Sequence, residues 1–163
     1  MHREGHIGVA MAFYAPVAAV IAALEGSQLA LLIGGGVAAL CMLPDIDMKI
    51  PTIEHRGPTH TIYFVLGITA FLTMSGLAVG LSEGGFSNAI ILGAVFGLVG
   101  LVALGSHLAA DMLTPMGVDP WATGNRRSYN LTRAANPIAN MLLLGIGLLV
   151  LLVAISAGTS AAL

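Results

Sequence analysis

From Pro137 to Ala157 the chain runs without one charged side chain. A stretch of that kind has one ordinary destination, because a hydrocarbon core about 30 Å thick is crossed by about 20 helical residues. Ile7–Leu24, Leu29–Leu43, Thr61–Leu81 and Asn88–Ala110 have the same character or approach it. In lipid every backbone polar group must be bonded internally, so these stretches are expected to be helical. The sequence predicts an all-α fold, a polytopic membrane helix bundle with about five transmembrane helices. The connections are short, and residues 1–163 read as a single integral membrane domain. With 57% hydrophobic and 9% charged residues, the composition is not that of an ordinary soluble domain.

The first stretch is longer than the roughly 7–15 apolar residues of a secretory signal, and reads as a span. The second is short. At about 1.5 Å per residue it reaches roughly 22 Å, less than the hydrocarbon core. Its "IGGG", Ile33–Gly36, permits close backbone packing. The turn that follows is therefore expected below the headgroup level. The single cysteine, Cys41, cannot build a disulfide framework and reads as a small buried apolar residue.

Five spans place the two ends of the chain on opposite sides. Residues 1–6 and the loops 44–60 and 111–136 share one side. All six basic residues, Arg3, Lys49, Arg56, Arg126, Arg127 and Arg133, fall there, whereas the other side carries Glu25 and Glu83. The positive-inside rule then predicts a protein integral to the cell (plasma or inner) membrane, with a cytoplasmic N-terminus and an external C-terminus. His2, His6, His55, His60 and His107 follow the arginines to that side, as do Asp45, Asp47, Asp111 and Asp119. Loops collect polar residues, which accounts for the arginines. It does not account for the absence of histidine and aspartate from the opposite side.

Four segments supply these groups. "HREGH" places His6 at the start of the first span, with His2 in solvent. "LPDID" ends the second: Pro44 stops the helix, and Asp45 and Asp47 can hold one cation or bridge two. Carboxylates at a helix C-terminus oppose the dipole, so the helix itself does not require them. "HRGPTH" leads into the third span with His55, Arg56 and His60; Gly57 allows a bend, Pro58 suits a helix start, and arginine's planar fork matches carboxylate or phosphate. "SHLAADMLTP" ends the fourth, with His107 and Asp111 on one helical face. Ionisable groups at the end of a span point to function. Imidazole with carboxylate suits a divalent metal, zinc first, with manganese or iron as alternatives. His6, Asp45, Asp47, His55, His60, His107 and Asp111 are more donors than one tetrahedral ion needs, so some are expected to orient ligating imidazoles, and a two-metal site is equally allowed.

HExxH, GxSxG and a phosphate-binding glycine loop are absent from the sequence. The pairs Gly76/Gly80 and Gly93/Gly97 read as helix packing. The basic loop has no aromatic platform beside it, so no nucleic-acid partner is expected, and its arginines suit topology and anionic headgroups.

The ordered set "LPDID", "HRGPTH" and "HLAADMLTPMG", preceded by His6, resembles the YdjM-like membrane-bound metal-dependent hydrolases, also described as LexA-binding, inner membrane-associated hydrolases. The match runs from His6 to about Gly117. The resemblance implies a small helical membrane protein with a hydrolase-like metal site. It carries over His6, Asp45, Asp47, His55, His60, His107 and Asp111, with Arg56 and Thr114 beside them. The chain departs from the family pattern after its arginine-rich loop, where "NPIAN" brings Asn136 and Asn140 and no carboxylate follows Asp119.

The expected function is metal-dependent hydrolysis of a lipid or lipid-linked (phospho)ester at a cytoplasm-facing site. His6, Asp45, Asp47, His60, His107 and Asp111 are the expected metal ligands; Asp47, His55 and Arg56 are the expected catalytic residues. The alternatives are a metal-ion carrier or sensor, which would need ionisable residues across the bundle, and a structural or partner-binding protein with a metal-free polar network. Reporter fusions at Gly85 and at the C-terminus should both report the external side; a cytoplasmic signal from both would overturn the placement of the polar end in the cytoplasm.

Overall fold

The computed structural model describes residues 1–162 and is all-α. Five helices follow in order: α1 (Arg3–Glu25), α2 (Ser27–Leu40), α3 (Ile62–Gly84), α4 (Phe86–Met112) and α5 (Pro137–Ala161). Two short 3₁₀ turns, Pro44–Lys49 and Pro58–His60, lie between α2 and α3. Among the described residues the only β pairing is an isolated bridge between Val118 and Arg127. The helices α1, α3, α4 and α5 are long and apolar enough to cross a membrane. With 14 residues, α2 is shorter, and at about 1.5 Å per residue it covers roughly 21 Å.

Local chemistry sets the helix ends. Thr61 caps α3 by accepting the Phe64 N–H at 3.3 Å, and Asn136 caps α5 by accepting the Ala139 N–H at 3.2 Å, with Pro137 in the first turn. Gly26 and Gly85, both with positive φ, make the sharp reversals between α1 and α2 and between α3 and α4.

Two helix pairs carry the packing, α1 on α5 and α3 on α4. Both rest on close backbone approach at glycine. A Cβ at Gly8 would meet the Leu143 backbone, one at Gly147 the Gly8 carbonyl, and one at Gly158 the Ala19 carbonyl. The constant offset of these partners makes α1 and α5 parallel. In the other pair, Gly76 faces Leu92 and Gly80 faces Ala89, so α3 and α4 form an antiparallel hairpin. Gly93 and Gly97 complete that seam against Leu77 and Thr73. This is how helices associate where lipid removes any hydrophobic drive between them.

A small-residue core of Ala10, Ala18, Ala22, Ala30 and Ala103 joins α1, α2 and α4. The buried Tyr14 hydroxyl donates to the Ala30 carbonyl at 2.8 Å, which satisfies the one polar group of that layer. The arrangement returns the chain repeatedly to one end. The starts of α1, α3 and α5 and the ends of α2 and α4 gather there.

Replacing Gly147 by Ala should destabilise the protein by about 1–3 kcal/mol, because the added methyl enters the α1 backbone. Gly145→Ala, where a Cβ meets nothing within 4 Å, is expected to be neutral. Thermal unfolding of the two purified variants in detergent checks this; equal melting temperatures would refute the seam.

Candidate metal centre

The 3₁₀ turn Pro44–Lys49 sets the two aspartates apart. Successive side chains on a 3₁₀ turn rotate by about 120°, so residues i and i+2 diverge, whereas on an extended turn they would share a side. Asp45 points to a centre it shares with His60, His107 and Asp111; Asp47 stands behind His60.

One donor atom from each of Asp45, His60, His107 and Asp111 lies within 4.8 Å of every other, and all four residues are buried. The separations are regular. His60 Nε2 is 3.2 Å from His107 Nε2, 3.5 Å from Asp45 Oδ1 and 3.4 Å from Asp111 Oδ2. His107 Nε2 is 3.5 Å from Asp45 Oδ1 and 3.7 Å from Asp111 Oδ2. A tetrahedron of donors at zinc-like distances of about 2.0–2.1 Å has edges of about 3.3–3.4 Å. Five of the six edges between these donors, 3.2–3.7 Å, lie close to that length, and the sixth, Asp45 to Asp111, is within 4.8 Å.

The hydrogen bonds behind the imidazoles fix their tautomers. His107 Nδ1 donates to the Cys41 carbonyl at 2.6 Å, which leaves a lone pair on Nε2. The Thr59 hydroxyl gives its hydrogen to Asp47 Oδ2 at 2.8 Å and can only accept from His60 Nδ1 at 3.0 Å. His60 Nδ1 therefore carries hydrogen, also facing Asp47 Oδ2 at 3.2 Å, and Nε2 carries a lone pair. Two lone pairs then face each other at 3.2 Å between two carboxylates. A positive charge resolves that arrangement, either a metal ion or a proton shared between the two rings. Asp47, Thr59 and the Cys41 carbonyl are the outer groups that aim the ligating imidazoles.

The unsatisfied atoms point the same way. Asp111 Oδ2 and both ring nitrogens of His6 are buried without a hydrogen-bond partner, which ordinarily costs about 1–3 kcal/mol per group. Asp111 divides its oxygens: Oδ1 takes Arg56 Nη2 and the Met1 amino group, each at 2.6 Å, and Oδ2 faces the centre. His6 stacks on His107 with ring centroids 3.9 Å apart and sits 3.5 Å from Asp111 Oδ1, at the margin of the donor set. Burial by itself would raise the pKa of Asp45, but His107 and His60, when a proton occupies one of their facing nitrogens, outweigh it and hold the carboxyl well below its usual range. For Asp47 burial is likewise outweighed, here by His55, Thr59 and the Arg56 N–H. Two carboxylates with two neutral imidazoles give a charge that a divalent ion cancels.

A second group, Asp47, His55 and His60, could also hold an ion. It shares His60 with the first, by way of a ring nitrogen already donating. His55 is exposed and holds Asp47 Oδ1 at 3.0 Å. Arg56 sits between the groups in a left-handed conformation, φ 58°, which turns its N–H to Asp47 Oδ2 at 3.1 Å. Its side chain reaches the other way, to Asp111, to the Thr114 hydroxyl at 3.0 Å and to the Gly117 carbonyl at 3.1 Å. Both terminal nitrogens are thus engaged within the protein. His2 lies on the surface.

The family model for the YdjM inner membrane protein matches residues 1–162. The chain belongs to that family. Comparisons with curated proteins and with solved structures gave no match. In this YdjM family member the buried His/Asp groups can hold a metal ion.

Three further residues take part in the site. Thr59 links Asp47 to His60, and its position directly before the histidine was the available signal. The Cys41 carbonyl orients His107, and no side-chain pattern announces a backbone group. Buried Asn140 accepts the His2 N–H at 3.2 Å and donates to the Ala134 and Asn136 carbonyls, tying α5 to the start of α1.

Alanine at His60, His107 or Asp111 should abolish stoichiometric metal, measured by elemental analysis of the purified protein. Asp47→Asn should weaken metal affinity by about 10–100-fold while leaving stoichiometry intact at saturating metal, because among the four central donors it disturbs only the support behind His60. Unchanged metal content in the triple alanine variant would show that the cluster is a metal-free polar network.

Proposed function

We propose that this protein is a membrane-embedded metal-dependent hydrolase, acting from the cytoplasmic side on a lipid or lipid-linked (phospho)ester. The observation that carries the reading is Asp45. It belongs to the donor set and also lines a cleft of about 350 Å³, together with His55, Arg56, Thr114 and Arg133. The donors are buried, yet one edge of the shell meets an opening flanked by cations and a histidine.

Asp45, His60, His107 and Asp111 would hold the ion, with His6 beside them, Asp47 behind His60, and zinc the best match to the donors. When bound, a divalent ion supplies Lewis acidity toward an ester oxygen and makes nearby water a better nucleophile. His55 is the general base. Asp47 holds its Nδ1 at 3.0 Å, the relation by which a carboxylate orients an imidazole for proton transfer. Water adds its oxygen to the phosphorus or acyl carbon. His55 takes the proton from that water and returns it to the leaving oxygen as the ester P–O or C–O bond breaks and the alcohol departs. Arg56 holds Asp111 in place and contributes a fixed positive charge where negative charge develops. Arg133 lines the same cleft and favours an anionic substrate.

Donor count favours a second reading. Four protein donors complete a tetrahedron, as in structural zinc sites. The ion would then only tie the segments together.

Purified, metal-loaded protein incubated with a native lipid extract should deplete a lipid (phospho)ester and release a water-soluble product, and chelation should stop it. His55→Ala should lower turnover by about 10²-fold or more with metal content unchanged. No chelator-sensitive change in any lipid, compared by mass, would remove the lipid substrate. Loss of metal that lowers only the melting temperature would favour the structural ion.

A further inference from the structure

Asp45 borders a second space. Besides the polar cleft, it lines a separate cavity of about 420 Å³ between the start of α1 and the end of α2. The two spaces share Asp45 and Met48 and differ in the rest of their lining. Arg3 and Lys49 stand at the second, and Leu40 and Leu43 wall it.

An apolar groove continues from it. Leu40 also lines a cavity of about 240 Å³ that follows α2 past Gly36 to Leu32, with Leu72 of α3 opposite. This space exists because α2 packs on α1 and α4 and hardly touches α3. From Leu32 to Leu40 it extends about 12 Å along the helix axis. Its lining is entirely apolar.

The cations at the mouth are uncommitted. Among the described residues, Arg3 and Lys49 have no carboxylate within 4.0 Å, and both are exposed. Arg56, by contrast, is held by Asp111, Thr114 and Gly117, and Arg126 lies 3.7 Å from Glu54. The positive-inside rule accounts for the presence of Arg3 and Lys49 on this side. It does not account for their lining one cavity, from the start of α1 and the end of the Pro44–Lys49 turn, above an apolar groove and against a wall of the metal centre.

We propose that this lateral cavity binds an anionic phospholipid from the adjoining leaflet. Its phosphate lies between Arg3 and Lys49, and an acyl chain runs down the groove beside α2. Cationic side chains near the surface favour anionic lipid, and the apolar groove favours a chain over solvent. The site deepens the hydrolase reading by giving its substrate class and side of approach: lipid reaches Asp45 laterally, and the polar cleft admits water and releases the soluble product. The binding itself requires no turnover.

The test uses the full chain in detergent with a phosphatidylglycerol carrying a photoreactive acyl chain, followed by peptide mapping. Adducts are expected on the Leu32–Met48 segment, in chelated as well as metal-loaded protein. Arg3→Gln with Lys49→Gln should lower this labelling by about tenfold or more. Leu40→Trp, which fills the groove and keeps both cations, should shift the adducts away from α2 and serves if the double variant does not fold. A phosphatidylcholine probe should label the segment weakly. Equal labelling by the two lipids, or equal labelling of wild type and both variants, would overturn the proposal. Displacement of the probe by inorganic phosphate would assign the cations to a soluble anion and would overturn it as well. Specific labelling without lipid turnover would keep the binding site and remove the hydrolase reading.

Discussion

The polar end of this bundle is organised by a repulsion. Two imidazole nitrogens, each with a lone pair because its ring partner already donates a hydrogen bond, are held 3.2 Å apart with carboxylate oxygens on either side. In a low-dielectric interior such a set is unfavourable until a positive charge enters it. Its persistence has to be enforced from outside, and the fold supplies the enforcement. The Cys41 carbonyl, Thr59 and Asp47 restrain the rings, and Arg56 restrains Asp111. These restraints come from the end of α2, the two 3₁₀ turns and the end of α4, which is why so many segments must converge at one end.

Much of this was legible in the sequence. Long uncharged stretches can only be helices in lipid, and the asymmetry of basic residues sorted the loops onto two sides. His107 and Asp111 declared themselves by helical spacing and Asp45 by its place after a helix-ending proline. Less was legible where local geometry decides. Asp45 and Asp47 look equivalent until the backbone between them is known, and a 3₁₀ turn sends them to different places. Arg56 read as a fork for a carboxylate or a phosphate; that the partner is Asp111, with Thr114 beside it, depends on how the α4 end packs against the loop. The brevity of α2 was visible by counting residues. That it also stands away from α3 was not, since the separation follows from the glycine seams that bind α3 to α4 and α1 to α5.

The structure separates two tasks that a soluble protein usually combines. Cohesion comes from small residues at the helix seams and needs no polar group. Specific geometry comes from the buried polar set at one end, where hydrogen bonds from outer groups orient the donors that face the centre. A bundle built this way can hold a charged centre without placing ionisable groups along its length. Tyr14 shows how sparingly the interior admits polarity: its single hydroxyl closes on one helix carbonyl.

The parallel contact of α1 with α5 joins the first helix of the bundle to the last. During synthesis α1 emerges well before its partner exists. The α3–α4 hairpin, joined by a single tight turn, can close as soon as both helices are inserted, but α1 must keep its glycine face without that partner until α5 arrives. Asn140 reaches the start of α1 only at that moment. The polar end is therefore finished last, and a chain interrupted before α5 carries every candidate metal-binding side chain without the helix that closes the bundle around them.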